Sequence, residues 1–524
     1  ICSHVRERET HRDLNKKRPP RELRGPGRHL IIIESWGTTL SSPFHVIVLS
    51  IHHDLEGVLP TGQSLIQNDT HPETTMTDLG TLELILALLA VLFAVYAAYD
   101  LAKHKRIDEF RANFSSLNYN RSMYSQNMRE AYSRIRGDIA VCSDSYLLKP
   151  AGDVAPWEPK EPMSITPDDG TSVVIEAVPG KSQYRGVEFV QKGLGGRGRF
   201  PYYRFRCLPN PSRLYSYNSR RYLNKKVFDG ELYHALKVGG KDGKIVLKVG
   251  LSSYYSYYNT CEVLAFMAVC RQNRMLEGGW STLSSKGSMD KTIPSATDRT
   301  VIDAFDLGNR CVGIGVCTLT LLLNVDGVPG NNLFLVHHRS DRVAEAMNTV
   351  SLVPAGSLQP NYIHDDLLSG SGGPVDRSRD LYLNILREFE EEVLSRKEAE
   401  FADSFTARTI RGIRAYYITM GLDPLTTKME MVTLLTMDCH DGEVIEYIGG
   451  LVSGVDPDAP YLTTRDLDRI LSHASSEGRI TMEPFTRTMV TRYESYSEAM
   501  PLFRECMRLV NKHSEGFFKD LLRE

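Results

Sequence analysis

Apolar residues dominate one stretch of the chain and are interspersed with polar residues elsewhere. Residues 79–102 carry no charge apart from Glu83 and Asp100, which lie near the two ends of the stretch. A helix of this length rises about 36 Å, which is enough to cross the roughly 30 Å hydrocarbon core of a bilayer. The pattern therefore predicts a single transmembrane helix.

The charges that flank this helix predict its orientation. Four basic residues follow the apolar stretch closely, namely Lys103, Lys105, Arg106 and Arg111, whereas Asp78 and Glu83 mark the other end. Basic residues are enriched on the cytoplasmic side of membrane helices. We therefore expect a single-pass protein of the plasma membrane whose C-terminal domains are cytoplasmic.

The residues before the helix differ in kind from those after it. Residues 1–75 lack a periodic apolar pattern, and nine Lys and Arg residues fall between Arg6 and Arg28. This segment is predicted to be disordered, with Met76 as the natural start of the protein. A genuine disordered basic arm is the alternative, because charge runs of this type are usually solvated tails.

Polar, helix-prone residues follow the membrane helix and give way to alternating strands. Residues 103–168 are predicted to be a juxtamembrane stalk that ends in a Pro-rich linker, and residues 169–300 a small β-rich domain. The glycine-rich run at 193–198 matches a dinucleotide-binding pattern only formally. A strand pattern follows it where that motif needs a helix, so we predict a hairpin loop.

Two features of the β-rich segment are open to more than one interpretation. Basic and aromatic residues interleave over residues 204–226, a mixture that can stack bases or hold phosphates. Beside a membrane it could also contact anionic lipid head groups, and a solvated loop is the simplest interpretation. Four tyrosines, at positions 254, 255, 257 and 258, cannot all be core residues, so some must line a surface or pocket.

Residues 301–460 combine strand and helix patterns. Strands are predicted over 311–324, 333–339 and 430–437, helices over 380–400 and 398–420, and a hairpin over 441–448. Residues 461–524 are predicted to be helical. Within 380–400, an apolar face formed by Tyr382, Leu386, Phe389 and Val393 opposes a stripe of three acids, Glu388, Glu391 and Glu392.

Three stacked carboxylates repel one another unless they are solvated or neutralised by a cation. Ligands that are all oxygen atoms suit Mg²⁺, Mn²⁺ or Ca²⁺. The acidic stripe therefore indicates either a divalent metal site or the solvated face of an ordinary amphipathic helix.

The sequence from Arg387 to Glu392, together with Val353-Pro354-Ala355-Gly356 upstream, resembles the signature of the Nudix hydrolase superfamily. The resemblance implies an α/β (α+β) fold, a Nudix-like βαβ sandwich, in residues 301–460. It implies that Glu388, Glu391 and Glu392 bind Mg²⁺ or Mn²⁺ and that Arg387 orients them by ion pairing. Gly356 and Arg339 would contact the substrate.

By this resemblance the chain would hydrolyse a nucleoside diphosphate linked to another group, with Glu430 or Glu443 as the general base. The spacing from Gly356 to Arg387 is longer than in the family, which implies an inserted loop, either a lid or a disordered segment. The family's glycine after the paired glutamates is Leu394 here. These departures favour the alternative of a non-catalytic nucleotide sensor, and a scaffold without a ligand is a third hypothesis.

Net charge and cysteine usage bear on the possible partners of the chain and on its cellular compartment. A net charge of -3 gives no bulk attraction to nucleic acid. The resemblance implies a nucleotide-type small molecule as a partner and the apolar helix predicts the membrane; self-association into a homo-oligomer stays open. The nine cysteines are scattered without a Cys-X-X-Cys pair. This usage indicates a reducing compartment rather than a disulfide framework or a zinc ribbon.

Overall fold

The computed structural model describes most of the chain from residue 75 onward. The described ranges are 75–135, 139–141, 147–150, 159–181, 208–210, 214–225, 230–277, 307, 311–340, 349–360, 374–396, 409–472 and 478–523. The predictions for residues 1–74, for the glycine-rich run at 193–198 and for most of the inserted loop lie outside these ranges.

A long apolar helix opens the described part of the chain. Helix α1 runs without a break over Thr75–Tyr119, and helix α2 follows over Arg121–Ile135. Within the residues described, α1 alone is long and apolar enough to cross a membrane, and its apolar stretch is not buried by the protein. Leucine side chains such as Leu84 and Leu88 are exposed.

The segment predicted as a stalk is helical but does not stand free of the domains. Ile107, Phe110, Phe114 and Leu117 are buried along one face of α1. Their spacing of three or four residues places them on a single stripe. The ring of Phe110 packs against that of Phe266, with 4.9 Å between the ring centroids. The long apolar helix is thus continuous with a packed part of the fold.

The smaller sheet contains four strands in the order β11-β4-β6-β5. Strands β4 and β6 are parallel, and the other pairs are antiparallel. The strands are β4 (Val173–Lys181), β5 (Glu231–Lys241), β6 (Lys244–Ser253) and β11 (Val375–Asp376). The helices of this region are α3 (Tyr215–Leu223), α4 (Tyr254–Tyr257), a π-helical segment (Tyr258–Glu262) and α5 (Val263–Glu277).

The larger sheet follows the order β1-β2-β12-β13-β7-β8-β14, with β3, β9 and β10 paired beside this path. Strands β13 and β7 run parallel at its centre. Its strands are β1 (Ile139–Val141), β2 (Leu147–Pro150), β3 (Met163–Ser164), β7 (Ile314–Leu323), β8 (Leu333–Arg339), β9 (Val350–Ser351), β10 (Ala355–Ser357), β12 (Ile413–Leu422), β13 (Met429–Asp438) and β14 (Gly478–Pro484).

Helices cover both faces of the larger sheet. They are α6 (Ser378–Glu392), α7 (Gly442–Leu451), α8 (Thr464–Ser472), α9 (Arg487–Glu494) and α10 (Pro501–Lys512). Successive residues of a strand point to opposite faces. Accordingly Met431 and Leu435 of β13 join one hydrophobic cluster with α6, α7 and α8, whereas Val432 and Leu434 join a second with α9 and α10. The chain is a mixed α/β protein with two mixed sheets and one long apolar N-terminal helix.

Four sequence predictions of local structure are wrong. Residues 413–422 form strand β12 instead of continuing a helix, and residues 442–451 form helix α7 instead of a hairpin. Strand β14 interrupts the C-terminal region that was predicted as helical throughout. Residues 215–223 form helix α3 rather than a solvated loop, because one side of this helix is buried against the core.

Candidate functional site

Helix α6 presents its acidic stripe as the helical period predicts. Tyr382, Leu386 and Phe389 are almost fully buried, whereas Glu388, Glu391 and Glu392 are only partly exposed. The acids therefore lie at the margin of the core rather than on a fully solvated face.

The Glu388 carboxylate lies directly against Gly356. A Cβ atom at position 356 would overlap all three atoms of that carboxylate group, so only glycine allows this approach. Arg387 fixes the carboxylate from the other side, with 2.7 Å between its Nη2 and the Glu388 Oε1. The ion pair matches the contact that the Nudix resemblance assigns to Arg387; a role of Glu388 as a metal ligand stays a prediction.

A second contact ties the end of α6 to the same segment. The backbone N–H of Ala355 donates a hydrogen bond to Glu392 Oε2 at 3.0 Å. Strand β10 contains both Ala355 and Gly356, and it pairs with β7. Two carboxylates of α6 are thereby held against one short strand.

Glu430 lies on β13, which is separated from β10 by strand β7. Ser357 of β10 pairs with Gly315 of β7, and Gly315 pairs with Glu430 of β13. Adjacent strands are about 4.8 Å apart. Gly315 is as constrained as Gly356, because a Cβ there would overlap the Glu430 carboxylate. Gly356 of β10 and Gly315 of β7 thus each make room for one carboxylate.

Lys428 neutralises Glu430. Its Nζ lies 3.1 Å from Glu430 Oε1, and the two side chains are only 14% and 15% exposed. Residues 428 and 430 lie two apart, so both side chains point to the same face at the start of β13.

Cys317 lies among these charges. Its Sγ is 3.7 Å from Glu430 Oε2, and it pairs with Ala355 across the sheet. Burial first and Glu430 second raise the pKa of the Cys317 thiol, while Lys428 and Arg339 oppose the rise. The thiol is therefore held in its protonated, weakly nucleophilic form. Arg339 and Glu392 also act on this thiol, which places both near the same centre.

Glu443, the other acid considered for a general base, is placed elsewhere. It lies in the first turn of α7, where its Oε2 accepts the backbone N–H of Arg411 at 3.0 Å. Strand β13 separates this end of the sheet from Glu430 by about 25 Å. Glu443 is therefore not part of the candidate site.

The carboxylates suit a hard divalent cation by their chemistry but not by their arrangement. Across the ranges listed above, no three His, Cys, Asp or Glu side chains are grouped so that they could hold a metal ion. Glu388 is paired with Arg387, Glu392 with the Ala355 N–H and Glu430 with Lys428. These three carboxylates are therefore not arranged as a metal-binding site.

Sequence reasoning missed Lys428 and Cys317. A basic residue two positions before Glu430 was visible in the sequence, but nothing local marked it as the partner of that acid. Cys317 falls within a predicted strand and gave no signal of its own, because its neighbours come from β10 and β13.

Lys428 also connects the site to helix α2. Its Nζ lies 5.5 Å from the centroid of the Tyr257 ring, a cation–π contact. The Tyr257 hydroxyl donates to Glu262 Oε1 at 2.6 Å, and Arg121 Nη2 lies 3.8 Å from the same oxygen. Glu262 belongs to the π-helical segment and Arg121 is the first residue of α2. A continuous set of contacts therefore runs from α2 to Glu430.

The four clustered tyrosines, at positions 254, 255, 257 and 258, differ in burial. Tyr257 and Tyr258 are buried, and the Tyr258 ring stacks on that of Tyr215 with 5.0 Å between centroids. Tyr254 and Tyr255 are partly exposed. The prediction that some of the four must line a surface is confirmed.

Comparisons with known proteins do not assign the chain to a family. No family model matches it, and no curated protein matches it significantly.

Proposed function

We propose that the chain is a membrane-anchored protein whose Nudix-like domain binds a nucleotide carrying a diphosphate and does not cleave it. The observation that carries this proposal is the close approach of the Glu388 carboxylate to Gly356. The glycine and the acid belong to the two separate parts of the Nudix resemblance, and the fold brings them into contact. Gly356 and Arg339 are the proposed contacts to the ligand.

The pairing of the carboxylates favours binding over catalysis. Each of Glu388, Glu392 and Glu430 has a cationic or N–H partner within the chain. Metal catalysis needs ligand geometry held within a fraction of an ångström, whereas binding does not. The contacts from Lys428 to Arg121 add a physical route by which an occupied site could influence α2, the helix that follows the proposed membrane helix.

Hydrolysis of the same class of compound is the second candidate. It is favoured by the two glutamates of α6 that are held against β10, Glu388 beside Gly356 and Glu392 on the Ala355 N–H. Glu430, one of the acids considered for the general base, lies on the opposite face of the sheet, because it shares the face of Gly315 and Ser357 rather than that of Gly356. This candidate requires the acids to leave their present partners. Binding of Mg²⁺ or Mn²⁺ by Glu388, Glu391 and Glu392 remains part of this second proposal.

The proposed topology places the two sheets in the cytoplasm. The support is the long apolar helix and the basic residues that follow it. Protease added to the outside of intact cells should leave residues 170–524 uncut. Digestion of that part from outside would show that the orientation is wrong.

The functional test uses the full chain in lipid nanodiscs and a panel of nucleoside diphosphates linked to sugars, alcohols or a second nucleotide. Equilibrium binding and release of nucleoside monophosphate are both measured, with and without Mg²⁺. Binding without release supports the sensor, and Mg²⁺-dependent release supports the hydrolase.

The matched variants are Arg339→Gln in the site, which removes the proposed cationic contact to the diphosphate, and Arg465→Gln on an exposed position of α8. The first should weaken binding, or abolish release, by at least about tenfold, since one good charge-assisted contact is worth that factor. The second should change neither quantity. Binding of no member of the panel would contradict both candidates and favour a scaffold.

A further inference from the structure

The membrane helix enters the cytoplasmic fold without an intervening linker. Helix α1 is continuous over Thr75–Tyr119, and Ile107 is its first buried residue after the apolar stretch. Ile107 lies five positions beyond Ala102, which corresponds to about 7.5 Å along a helix. A rigid connection of this length holds the adjoining part of the fold next to the bilayer surface.

Helix α3 is the element that lies beside this part of α1. The Tyr215 ring is 6.3 Å from the Phe110 ring, and the Arg111 Nε donates to the Tyr222 carbonyl at 3.2 Å. The Lys225 Nζ, just past the end of α3, lies 5.3 Å from the centroid of the Phe114 ring. Both ends of α3 therefore lie level with residues 110–114, about 12 to 18 Å beyond Ala102.

The outward face of α3 is basic and aromatic. Tyr217, Arg220 and Arg221 are exposed and, at spacings of three and four residues, share one side of the helix. Tyr215, Ser216, Asn218 and Ser219 are buried on the other side. The Arg220 Nη1 donates to the Tyr255 hydroxyl at 2.8 Å, which leaves the guanidinium charge at the surface. Helix α3 contains no acidic residue.

The adjoining turns of α1 add further charge. Exposed basic residues here are Lys103, Lys105, Arg106 and Arg111, and the acids among them are Asp100, Asp108 and Glu109. Asp100 pairs with His104, and Asp108 lies 3.6 Å from Arg111. With the two arginines of α3, cations outnumber acids on this membrane-proximal surface.

We infer that this surface, formed by residues 103–111 of α1 and by Tyr217, Arg220 and Arg221 of α3, binds the anionic head groups of the lipid bilayer. The head-group layer adds about 5 to 7 Å to each side of the hydrocarbon core. The potential of anionic lipids extends about a Debye length, 8 to 10 Å, beyond it. Arginine side chains on α3 reach this zone, and Tyr217 suits the interface because it is amphipathic. The inference rests on the membrane anchoring proposed above.

The test compares the full chain in nanodiscs of zwitterionic phosphatidylcholine with nanodiscs that also contain phosphatidylserine. Amide hydrogen exchange is followed by mass spectrometry over residues 214–225. Anionic lipid should slow exchange at least about fivefold, because each basic residue near the surface adds to the attraction. The slowing should disappear at high salt, where the Debye length shortens.

Two variants and one control make the result specific. Arg220→Gln/Arg221→Gln and Arg220→Glu/Arg221→Glu should both lose the slowing. Lys241→Glu/Lys244→Glu alters two exposed lysines at the tip of the β5–β6 hairpin, about 30 Å along β6 from Tyr254. In this control variant anionic lipid should still slow amide exchange over residues 214–225. Loss of that effect in the control would overturn the inference.

Other outcomes are equally decisive. Equal exchange in the two kinds of nanodisc would overturn the inference while leaving membrane anchoring and nucleotide binding intact. The same slowing by inorganic phosphate in zwitterionic nanodiscs would overturn it in favour of a soluble phosphate site. Release of the protein from the bilayer by alkaline carbonate would instead contradict the anchoring itself.

Discussion

The carboxylate of Glu388 lies against the Cα of Gly356, with no room for a Cβ atom between them. Glu388 is in the last turns of α6, and Gly356 is in β10, before the inserted loop. The contact therefore joins two segments that the sequence keeps apart, and it defines the centre of the candidate site.

Replacement of this glycine should damage the site more than the fold. In Gly356→Ala the new methyl group displaces the Glu388 carboxylate, which sits at the flexible end of its side chain and can rotate away. We expect a loss of stability below about 1.5 kcal/mol, typical of a shifted rotamer, but at least a tenfold loss of nucleotide affinity. Chemical unfolding and equilibrium binding measure the two effects.

Gly450→Ala is the matched control, because a Cβ at position 450 meets nothing within 4 Å. Alanine should stabilise this end of α7 by up to about 1 kcal/mol and leave binding unchanged. A loss of affinity in both variants, or in neither, would be inconsistent with the proposed role of Gly356.

The Lys428–Glu430 pair should be strongly coupled, because both side chains are mostly buried. Lys428→Met leaves a buried carboxylate without its cation and should cost about 2 to 3 kcal/mol. The double variant Lys428→Met/Glu430→Gln should recover at least about 1 kcal/mol of that loss. The more exposed Lys248–Glu176 pair should show coupling below about 1 kcal/mol. Equal coupling energies for the two ion pairs would argue against burial as the cause of the strong Lys428–Glu430 coupling.

The contacts from Lys428 through Tyr257 to Arg121 should carry an effect of ligand binding to helix α2. Tyr257→Phe removes the hydroxyl that donates to Glu262 but retains the ring under Lys428. Nucleotide should slow hydrogen exchange near Arg121 in the wild type and not in this variant. Tyr493→Phe, which removes a hydroxyl bonded to Glu483 of β14, should behave like the wild type. Unchanged exchange near Arg121 in the wild type would contradict this route.

Acid should destabilise the protein through His337. This residue is fully buried on β8, and neither ring nitrogen has a hydrogen-bond partner among the residues described. Burial first, then Arg339 and His338, lower the pKa of His337 to about 4. The unfolded chain takes up a proton near pH 6.5 while the folded one does not, so stability present above pH 6.5 is lost as the pH falls toward 4.

The shift corresponds to a loss of about 3 kcal/mol for this one group. The test is the difference in unfolding free energy between the wild type and His337→Leu, measured across this pH range. We expect this difference to fall by that amount between pH 7 and pH 4. From pH 7 to 9 that difference should stay constant. A constant difference over the whole range would show that His337 titrates alike in both states.

The sequence was most informative where one face of an element is buried. The period of Tyr382, Leu386 and Phe389 correctly predicted the buried side of α6 and the placement of the three acids at its margin. The strand ending at Arg339 was also predicted correctly.

Prediction failed where both faces of an element are buried or where a local signal is ambiguous. Strand β12 is covered on both sides, so its residues form a nearly continuous apolar run that periodicity cannot distinguish from a helix. Asp441-Gly442 is typical of a hairpin turn. Here the Asp441 side chain instead accepts the Glu443 N–H at 2.9 Å and caps helix α7.

The partners of the site residues could not be predicted from local pattern at all. Lys428 contacts Tyr257, and Gly315 makes room for Glu430, only because parallel pairing sets β7 beside β13. Such pairing depends on the whole sheet rather than on any short stretch of sequence.

Thermal unfolding of the full chain in nanodiscs tests the central claim, that the surface around Gly356 and Glu388 binds the diphosphate of a nucleotide. A ligand that binds only the folded state raises the unfolding temperature by mass action. We predict that a nucleoside diphosphate raises it for the wild type and for Arg465→Gln but not for Arg339→Gln, which lacks the proposed cationic contact. A further rise with Mg²⁺ that Glu391→Gln loses would support the metal-dependent form of the proposal. The same rise in wild type and Arg339→Gln, or no rise in either, would contradict the claim.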